Sequence, residues 1–184
     1  MKLIILDRDG VINQDSPDYI KSPEEWTPLP NSLEAIAQLT QAGFTVAVAT
    51  NQSGVGRGLY TEAILEQIHN KMNTLVEQQG GKITAIFYCP HTPDDNCDCR
   101  KPKAGLFDQA SSFFNLNFND APAIAIGDSL RDLQAAQKAK CQPVLVLTGN
   151  GEKTQAKLTP ELLNTPVFSS LAKVTEALLS GKLT

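Results

Sequence analysis

Residues 2–13 read KLIILDRDGVIN, an apolar run that ends in two aspartates separated by a single residue. The run is apolar throughout instead of alternating, which is typical of a parallel β-strand covered by helices on both faces. The acidic residues and glycine that follow it indicate a turn. This stretch therefore predicts a buried parallel strand whose end carries reactive side chains.

The same pattern of an apolar run, a turn and an amphipathic segment recurs along the chain. The later runs are FTVAVAT (44–50), ITAIFYC (83–89), PAIAIG (122–127) and PVLVLT (143–148). Helical patterns cover 61–78, 104–114, 129–139 and 170–180, and another begins at Asn31, whose side chain is predicted to cap it, and ends before Gly43. Alternating strands and helices predict a doubly wound α/β fold with a mainly parallel sheet, in a single domain spanning 1–184.

Polar groups follow four of these strands, and functional groups of doubly wound sheets gather at the carboxyl ends of strands. They are Asp7 and Asp9 after the first run, Thr50 and Asn51 at the end of the second, Arg100 and Lys101 beyond the third, and Asp128 after the fourth. A turn or cap role is the usual one for Asp after a strand, but it does not account for the whole set. The spacing predicts one site at this edge of the sheet.

Asp7 and Asp128 would form an all-oxygen pocket, which suits Mg²⁺ together with water and phosphate oxygens. Asp7 is then the candidate nucleophile, attacking phosphorus to form an aspartyl-phosphate. Asp9 lies two residues further on and can protonate the leaving oxygen and then activate water. The Thr50 hydroxyl and a lysine can stabilise the transferring phosphoryl group.

A second metal site is indicated by CPHTPDDNCDCRKP, residues 89–102. Its candidate ligands are Cys89, His91, Cys97 and Cys99. Thiolates and an imidazole suit tetrahedral Zn²⁺, and four protein ligands leave no open position for catalysis. We expect a structural zinc that fixes the loop and, through it, the adjacent Arg100 and Lys101.

The segments DRDGVIN, TNQSGVGRG, CPHTPDDNCDCRKP and GDSLRD together resemble the motifs of the haloacid dehalogenase phosphatase superfamily, over residues 1–148. Within it they are similar to heptose bisphosphate phosphatases, which are relatives of histidinol-phosphate phosphatases. The resemblance implies a haloacid dehalogenase-like Rossmannoid fold. Because only a loop (10–30) and the zinc loop occupy the usual cap positions, we expect it to lack a cap.

The resemblance also implies an activity and residue roles. The expected reaction is Mg²⁺-dependent removal of the 7-phosphate of a heptose 1,7-bisphosphate, in the synthesis of nucleotide-activated heptose and lipopolysaccharide core precursors. Asp7 would be the nucleophile, Asp9 the general acid/base, and Asp7, the Asp9 carbonyl and Asp128 the Mg²⁺ ligands. Thr50 and Lys101 would steady the phosphoryl group. The expected substrate-binding positions are Asp15, Asp18, Asn51, Gln52, Ser53, Arg100 and Ser129.

Composition limits the partners. Of the 184 residues, 41% are hydrophobic and 20% charged, and the net charge is −4, which disfavours a nucleic-acid or membrane-surface binder. The apolar N-terminus is too short for a signal peptide. We expect a cytoplasmic monomer that acts on a small sugar bisphosphate.

Three alternatives stay open at this point. A phospho-receiver domain would share the acidic Mg²⁺ pocket but have no use for Asp9 or the zinc loop. A zinc-dependent binding module would need a basic or aromatic surface. Histidinol phosphate would suit acids such as Asp15, whereas a sugar bisphosphate would suit Arg57, Arg100 and Lys103. We favour the heptose bisphosphate, because no second catalytic domain for histidine synthesis follows.

Overall fold

The central element is a parallel sheet, seen in a computed structural model that describes residues 1–183. Its strands are β1 (Lys2–Leu6), β2 (Phe44–Asn51), β3 (Ala85–Cys89), β4 (Ile124–Gly127), β5 (Gln142–Val146) and β6 (Val167–Phe168). Their order within the described residues is β3-β2-β1-β4-β5-β6, and every neighbouring pair is parallel. The doubly wound, parallel fold predicted from the sequence is confirmed.

Helices connect the strands, as parallel pairing requires. They are α1 (Ser32–Gln41), α2 (Ser53–Gly56), α3 (Glu62–Gln78), α4 (Gly105–Phe114), α5 (Leu130–Lys138), α6 (Gly151–Gln155) and α7 (Leu171–Leu179). Short 3₁₀ turns occur at Pro23–Glu25, Pro93–Asp95 and Pro160–Leu162. None of the helices within residues 1–183 is long and apolar enough to cross a membrane.

Two apolar clusters cover the two faces of the sheet, which explains why the strands are apolar throughout. One cluster packs α1, α3 and α7 around Ile4 and Val46, and the other packs α4 and α5 around Ile5 and Ala47. Alternate residues of β1 thus enter opposite cores. The fold is fixed by burial on both sides, and polar groups can collect only at the strand ends.

The strand order reverses between β1 and β4. The chain builds outward from β1 through β2 to β3, then crosses to β4 and builds outward to β6. In such sheets ligands bind outside the carboxyl ends of the strands at the point of reversal. Asp7 directly follows β1 and Asp128 directly follows β4, so the topology brings both to this point.

Several local expectations differ from the structure. The strands β3 and β4 each begin two residues later than predicted, and β5 covers Gln142–Val146 instead of 143–148. The sequence reading did not identify β6, α2 or α6, because segments of two to five residues are too short to show a period. The predicted domain end at residue 184 lies outside the described residues, and the single-domain assignment stays a prediction.

The predicted cap of α1 is wrong. Asn31 has a left-handed backbone (φ 61°), and its side chain makes no capping hydrogen bond. N-cap side chains reach the first turn from an extended backbone, which this φ excludes. The Ser32 hydroxyl instead donates to the Ile12 and Leu29 carbonyls and ties the helix to the loop over the site. Gly43 follows the helix end with φ 84°, as expected.

Candidate active site

Asp7 and Asp128 define the centre of the site. The Asp7 amide donates to the Ile126 carbonyl (2.9 Å), which holds the end of β1 beside β4. Asp128 Oδ2 accepts from the Asn150 amide at 2.7 Å. A Cβ at Gly10 or Gly149, both with positive φ, would overlap Asp128 Oδ2, so only glycine lets the two loops close around this carboxylate.

The two carboxylates are destabilised as anions. Burial and repulsion from Asp132 raise the pKa of Asp7 to about 7, although Lys101 opposes the shift. Burial and repulsion from Asp7 raise the pKa of Asp128 to about 8. A divalent cation between them would offset this repulsion. The pair therefore fits the oxygen-rich Mg²⁺ site predicted from the sequence.

Lys101 lies beside the predicted nucleophile. Its side chain is 2% exposed, and Nζ lies 3.0 Å from Asp7 Oδ1, 2.6 Å from Asp132 Oδ1 and 2.8 Å from the Ala49 carbonyl. Burial alone would lower the pKa of Lys101, but Asp132 and Asp7 raise it on balance. The ammonium group therefore stays charged next to Asp7. It can neutralise charge that develops on a transferring phosphoryl group.

Asn51 fixes the backbone of Lys101 independently of the zinc loop. The Lys101 amide donates to Asn51 Oδ1 and the Asn51 side-chain amide donates to the Lys101 carbonyl, both at 3.0 Å. Asn51 also lines the site cavity. Its side-chain hydrogen bonds are thus made with the backbone of Lys101.

Asp9 is held by a buried arginine. Arg8 is fully buried, and its Nε and Nη2 donate to Asp9 Oδ1 at 3.0 and 2.9 Å. Asn13 Nδ2 donates to the same oxygen (2.8 Å), and Gln52 Nε2 donates to Asp9 Oδ2 (2.9 Å). These bonds fix the carboxylate in one orientation.

Arg8 in turn contacts His69. Its Nη1 lies 3.2 Å from His69 Nε2, and burial together with Arg8 lowers the pKa of His69 to about 3. The imidazole is therefore neutral and accepts the guanidinium N–H through Nε2. His69 is 7% exposed and is a packing residue on α3 that also completes the partners of Arg8.

Thr50 lies behind the site instead of on its surface. It is 1% exposed, and Gln52 Nε2 donates to Oγ1 at 2.9 Å. Gln52 also accepts from the Tyr60 hydroxyl (2.7 Å). The structure joins Thr50 to Asp9 through Gln52, and its predicted contact with the phosphoryl group stays a prediction.

An open cavity of about 310 Å³ lies over these groups. Its lining residues from the predicted set are Asp7, Asp9, Asp15, Asn51, Gln52, Ser53, Arg100, Lys101 and Asp128. Asp18 is exposed and does not line it. Ser129 does not line it either, because its amide and hydroxyl donate to Asp132 Oδ2 (3.0 and 2.6 Å) as the cap of α5. The substrate-binding roles expected for these two residues stay predictions.

The zinc ligands predicted from the sequence meet in one cluster. Cys89 Sγ lies 3.6 Å from both His91 Nδ1 and Cys97 Sγ, and Cys99 Sγ lies 3.3 Å from His91 Nδ1 and 3.6 Å from Cys97 Sγ. Tetrahedral Zn²⁺ with bonds of about 2.3 Å would place its ligand atoms about 3.7 Å apart. The four ligand atoms lie within 4.8 Å of one another, which fits a closed zinc site.

Sequence reasoning missed several lining or supporting residues. Asn150 follows β5, so the same strand-end rule that identified Asp128 could have found it. In the sequence, Asp132 is indistinguishable from an ordinary acidic residue in the first turn of a predicted helix, and its contact with Lys101 is visible only in three dimensions. Arg131 lines the cavity from the first turn of α5 and Tyr60 lines it from the bend before α3, and neither position has a distinguishing signal in the sequence.

The reversal point with its paired carboxylates and buried lysine defines a hydrolase of the haloacid dehalogenase type. The family described as HAD-hydrolase-like matches residues 98–174. A curated relative from Pseudomonas aeruginosa, a D-glycero-beta-D-manno-heptose-1,7-bisphosphate 7-phosphatase, is 54% identical over 177 residues, covering 96% of this chain and 97% of the relative. One with the same description from Bordetella bronchiseptica is 56% identical over 180 residues, covering 97% and 98%.

A solved structure agrees with this. The D,D-heptose 1,7-bisphosphate phosphatase of B. bronchiseptica, crystallised with magnesium and phosphate, is 55% identical and superimposes with a TM-score of 0.94, covering 98% of this chain and 99% of that chain. The chain belongs to the D-glycero-beta-D-manno-heptose-1,7-bisphosphate 7-phosphatase family. It is a phosphoric monoester hydrolase.

Proposed function

We propose that this chain removes the 7-phosphate of D-glycero-β-D-manno-heptose 1,7-bisphosphate through an aspartyl-phosphate on Asp7. The observation that carries the chemistry is the contact of Lys101 with Asp7 at the point where the strand order reverses, beside Asp128. The substrate follows from relatives that are more than half identical along nearly the whole chain. The product would serve the synthesis of activated heptose.

The residues divide the reaction into two steps. In the first, the Asp7 carboxylate attacks phosphorus, the bond from phosphorus to the sugar oxygen breaks, and Asp9 gives that oxygen a proton. In the second, Asp9 takes a proton from water, the water oxygen attacks phosphorus, and the bond to Asp7 breaks to release inorganic phosphate. Arg8, Asn13 and Gln52 keep Asp9 in place for both proton transfers.

Mg²⁺ would be held by Asp7, the backbone carbonyl of Asp9 and Asp128. When bound, it supplies positive charge that offsets the phosphate and the attacking carboxylate. Burial, and after it the neighbouring carboxylates, raise the pKa values of Asp7 and Asp128, and a cation bound between them would offset both effects, which supports this assignment. Asp132 is a poorer ligand, since Lys101 and Ser129 engage its oxygens.

Zn²⁺ would be held by the cluster of three cysteines and a histidine and would have a structural role. The short loop 89–103 contains one 3₁₀ turn and is rich in Asp and Pro, so it cannot form a core of its own. A zinc ion would replace that core. Arg100 directly follows the predicted ligand Cys99, so the ion would also restrain the backbone of Arg100.

A kinetic screen tests the proposed substrate. Purified protein with Mg²⁺ is assayed on both anomers of the heptose 1,7-bisphosphate, on fructose 1,6-bisphosphate and on histidinol phosphate. We expect the highest kcat/KM for the β-heptose bisphosphate, with phosphate lost from carbon 7 by NMR. Asp7→Asn serves as the control for contaminating phosphatases. A preference for histidinol phosphate, or loss of the 1-phosphate, would overturn the assignment.

A further inference from the structure

The two carboxylate oxygens of Asp9 are not equivalent. Oδ1 accepts from Arg8 Nε (3.0 Å), Arg8 Nη2 (2.9 Å) and Asn13 Nδ2 (2.8 Å). Oδ2 accepts from Gln52 Nε2 (2.9 Å) and receives only the longer share, 3.1 Å, of Arg8 Nη2. Because a carboxylate oxygen has about two acceptor sites, Oδ1 is fully engaged and Oδ2 keeps more capacity. Asp9 lines the active-site cavity with a side chain that is 21% exposed, so Oδ2 is the better placed oxygen for exchanging a proton there.

The Gln52 side chain, which holds Oδ2, has one favourable orientation. Its Oε1 accepts from the Tyr60 hydroxyl (2.7 Å) and from Arg8 Nη2 (3.2 Å). Its Nε2 donates to Asp9 Oδ2 and to Thr50 Oγ1, both at 2.9 Å. A guanidinium group only donates and a carboxylate only accepts, so exchanging the two ends of the amide would bring like groups together. The donor on Oδ2 is therefore fixed by what Oε1 contacts.

Tyr60 is the neutral anchor of this arrangement. Its hydroxyl makes the shortest hydrogen bond of the Gln52 side chain, and the residue is 7% exposed. The ring packs directly on the backbone at Gly54, where a Cβ would overlap it, and the next residue, Thr61, caps α3. Burial raises the pKa of Tyr60 to about 12, so the hydroxyl stays protonated and donates. The start of α3 thus restrains Gln52 through one hydroxyl group.

We propose that Tyr60 is a positioning residue for proton transfer: acting through Gln52, it holds Asp9 Oδ2 as the oxygen that exchanges the proton. The inference rests on the proposed roles of Asp7 and Asp9 and deepens them. In the first step the proton on Oδ2 moves to the leaving sugar oxygen as its bond to phosphorus breaks and Asp7 becomes phosphorylated. In the second step a proton of the attacking water returns to Oδ2 as the bond to Asp7 breaks. Tyr60 itself neither gains nor loses a proton.

The test compares two leaving groups. A sugar alkoxide must be protonated as it leaves, whereas p-nitrophenolate leaves without a proton, so only the sugar ester needs the general acid. The value of kcat/KM covers the steps up to the aspartyl-phosphate. The ratio of kcat/KM for the β-heptose 1,7-bisphosphate to that for p-nitrophenyl phosphate therefore separates proton donation from folding, Mg²⁺ binding and attack by Asp7. It is measured with Mg²⁺ for the wild type, Tyr60→Phe, Gln52→Met, the double variant and Asp9→Asn.

Tyr88→Phe is the matched control. Tyr88 lies on β3, does not line the active-site cavity, and donates its hydroxyl to Glu62 Oε1 at 3.2 Å. The control removes the same atom as Tyr60→Phe, but from a hydroxyl that does not contact Gln52. It should leave the ratio unchanged.

We expect Asp9→Asn to lower the ratio most, by about 10²-fold or more. Tyr60→Phe should lower it by about three- to tenfold, mainly through kcat for the sugar ester, which is the scale of one neutral hydrogen bond. Gln52→Met should lower it at least as much. In the double variant, Tyr60→Phe should add almost nothing to Gln52→Met, because the hydroxyl acts through the amide.

Three results would overturn the positioning role. Equal losses for the two esters in Tyr60→Phe would show a merely structural effect. A change confined to KM for the sugar ester, or losses that add in the double variant, would show that Tyr60 contacts the substrate directly. An unchanged ratio in Tyr60→Phe would show that Gln52 keeps Oδ2 in place without it.

Failure of the proposed function would be seen separately. An unchanged ratio in Asp9→Asn would show that Asp9 is not the general acid, and the role of Tyr60 would fall with it. A lowered ratio in Asp9→Asn beside an unchanged one in Tyr60→Phe would overturn the inference alone. If the wild type hydrolyses fructose 1,6-bisphosphate or histidinol phosphate but not the heptose ester, the substrate assignment is wrong. The ratio is then taken with that ester, whose leaving group is also an alkoxide.

Discussion

Replacing Cys99 with serine should weaken substrate binding much more than it slows catalysis. Cys99 Sγ lies 3.3 Å from His91 Nδ1 and 3.6 Å from Cys97 Sγ, inside the proposed zinc cluster. A serine hydroxyl is a poor ligand for zinc compared with a thiolate, so the variant should lose most of its metal. The loop would then lose its main constraint, because it has no apolar core.

Of the two neighbouring basic residues, Arg100 should lose its position when zinc is lost, and Lys101 should keep its position. Lys101 is held by Asn51 on its backbone and by Asp7, Asp132 and the Ala49 carbonyl on its ammonium group. Arg100, by contrast, has one long contact, and its acceptor is the His91 carbonyl within the same loop. Taken alone, the position of Arg100 and Lys101 directly after the predicted zinc ligand Cys99 predicts that KM rises and kcat falls together. The contacts of Lys101 and Arg100 predict instead that the change is mainly in KM, because Arg100 depends on the zinc loop for its position and Lys101 does not.

The magnitude follows from the single group that is displaced. A charge-assisted hydrogen bond contributes about 1.5–3 kcal/mol, which is about 10–100-fold in affinity, and a loosened loop loses part of it. We expect KM to rise by about tenfold and kcat to stay within about threefold. The assay measures zinc content by elemental analysis beside steady-state kinetics on the β-heptose bisphosphate.

Two comparisons make the result decisive. Cys141→Ala is the matched cysteine control, because Cys141 is buried in the second core cluster, outside the zinc cluster, and should leave zinc content unchanged. Adding Arg100→Gln to Cys99→Ser should cost little beyond either change alone, since both act through one guanidinium. A zinc-free parent with full activity, or a variant with kcat reduced by about 100-fold at constant KM, would refute the reasoning.

The remaining predictions concern the buried charges. Asp7→Asn should remove at least about 10³-fold of kcat while the protein stays folded, since an amide cannot attack phosphorus; activity within about tenfold of the parent would exclude the nucleophile role. Asp9→Asn should lower kcat by about 10²–10⁴-fold and leave the affinity for Mg²⁺ nearly unchanged. Asp128→Asn should lower both kcat and the affinity for Mg²⁺. Equal losses of Mg²⁺ affinity in the two variants would contradict this division. Burial and Arg8 lower the pKa of His69 to about 3, below its ordinary value of 6.5, so its contribution to stability is full above about pH 6.5 and is lost as the pH falls toward 3. Urea unfolding should show a loss of about 2 kcal/mol between about pH 7 and about pH 5 that is absent in His69→Gln; the same loss in both proteins would show that other groups cause it.

The parts of the site that could be predicted are those fixed by the topology of the sheet. Asp7 and Asp128 could be placed together because each directly follows a continuous apolar run, and such runs end at one edge of a parallel sheet. The zinc ligands could be placed because their spacing is short enough for one loop to bring them together. The sheet topology leaves few alternatives for the two aspartates, and the short chain between the four ligands leaves few for the zinc cluster.

Contacts that depend on side-chain direction could not be predicted. Thr50 lies near the end of β2 as expected, but the Gln52 side-chain amide donates to its hydroxyl, and no sequence rule gives that direction. Arg8 lies between two aspartates in the sequence, and such a charged segment suggests exposure to solvent. The Arg8 side chain is nevertheless fully buried and contacts His69, 61 positions away. A buried arginine is stable only when polar partners compensate for the hydration that its guanidinium group loses. Partners that lie so far apart in the sequence can be identified only from the packed structure.

The segment from Asp128 to Asp132 shows how one helical turn serves several tasks. Asp132 Oδ2 caps α5 by accepting from Ser129, and Asp132 Oδ1 lies 2.6 Å from Lys101 Nζ. From the sequence, serine followed three residues later by a carboxylate indicates only a helix N-terminus. Because the same carboxylate also holds Lys101, the turn that places Arg131 at the cavity is joined to the lysine beside Asp7. One buried lysine therefore joins the first turn of α5 to Asp7 at the end of β1, so the two strand ends and the helix are held together without a cap domain.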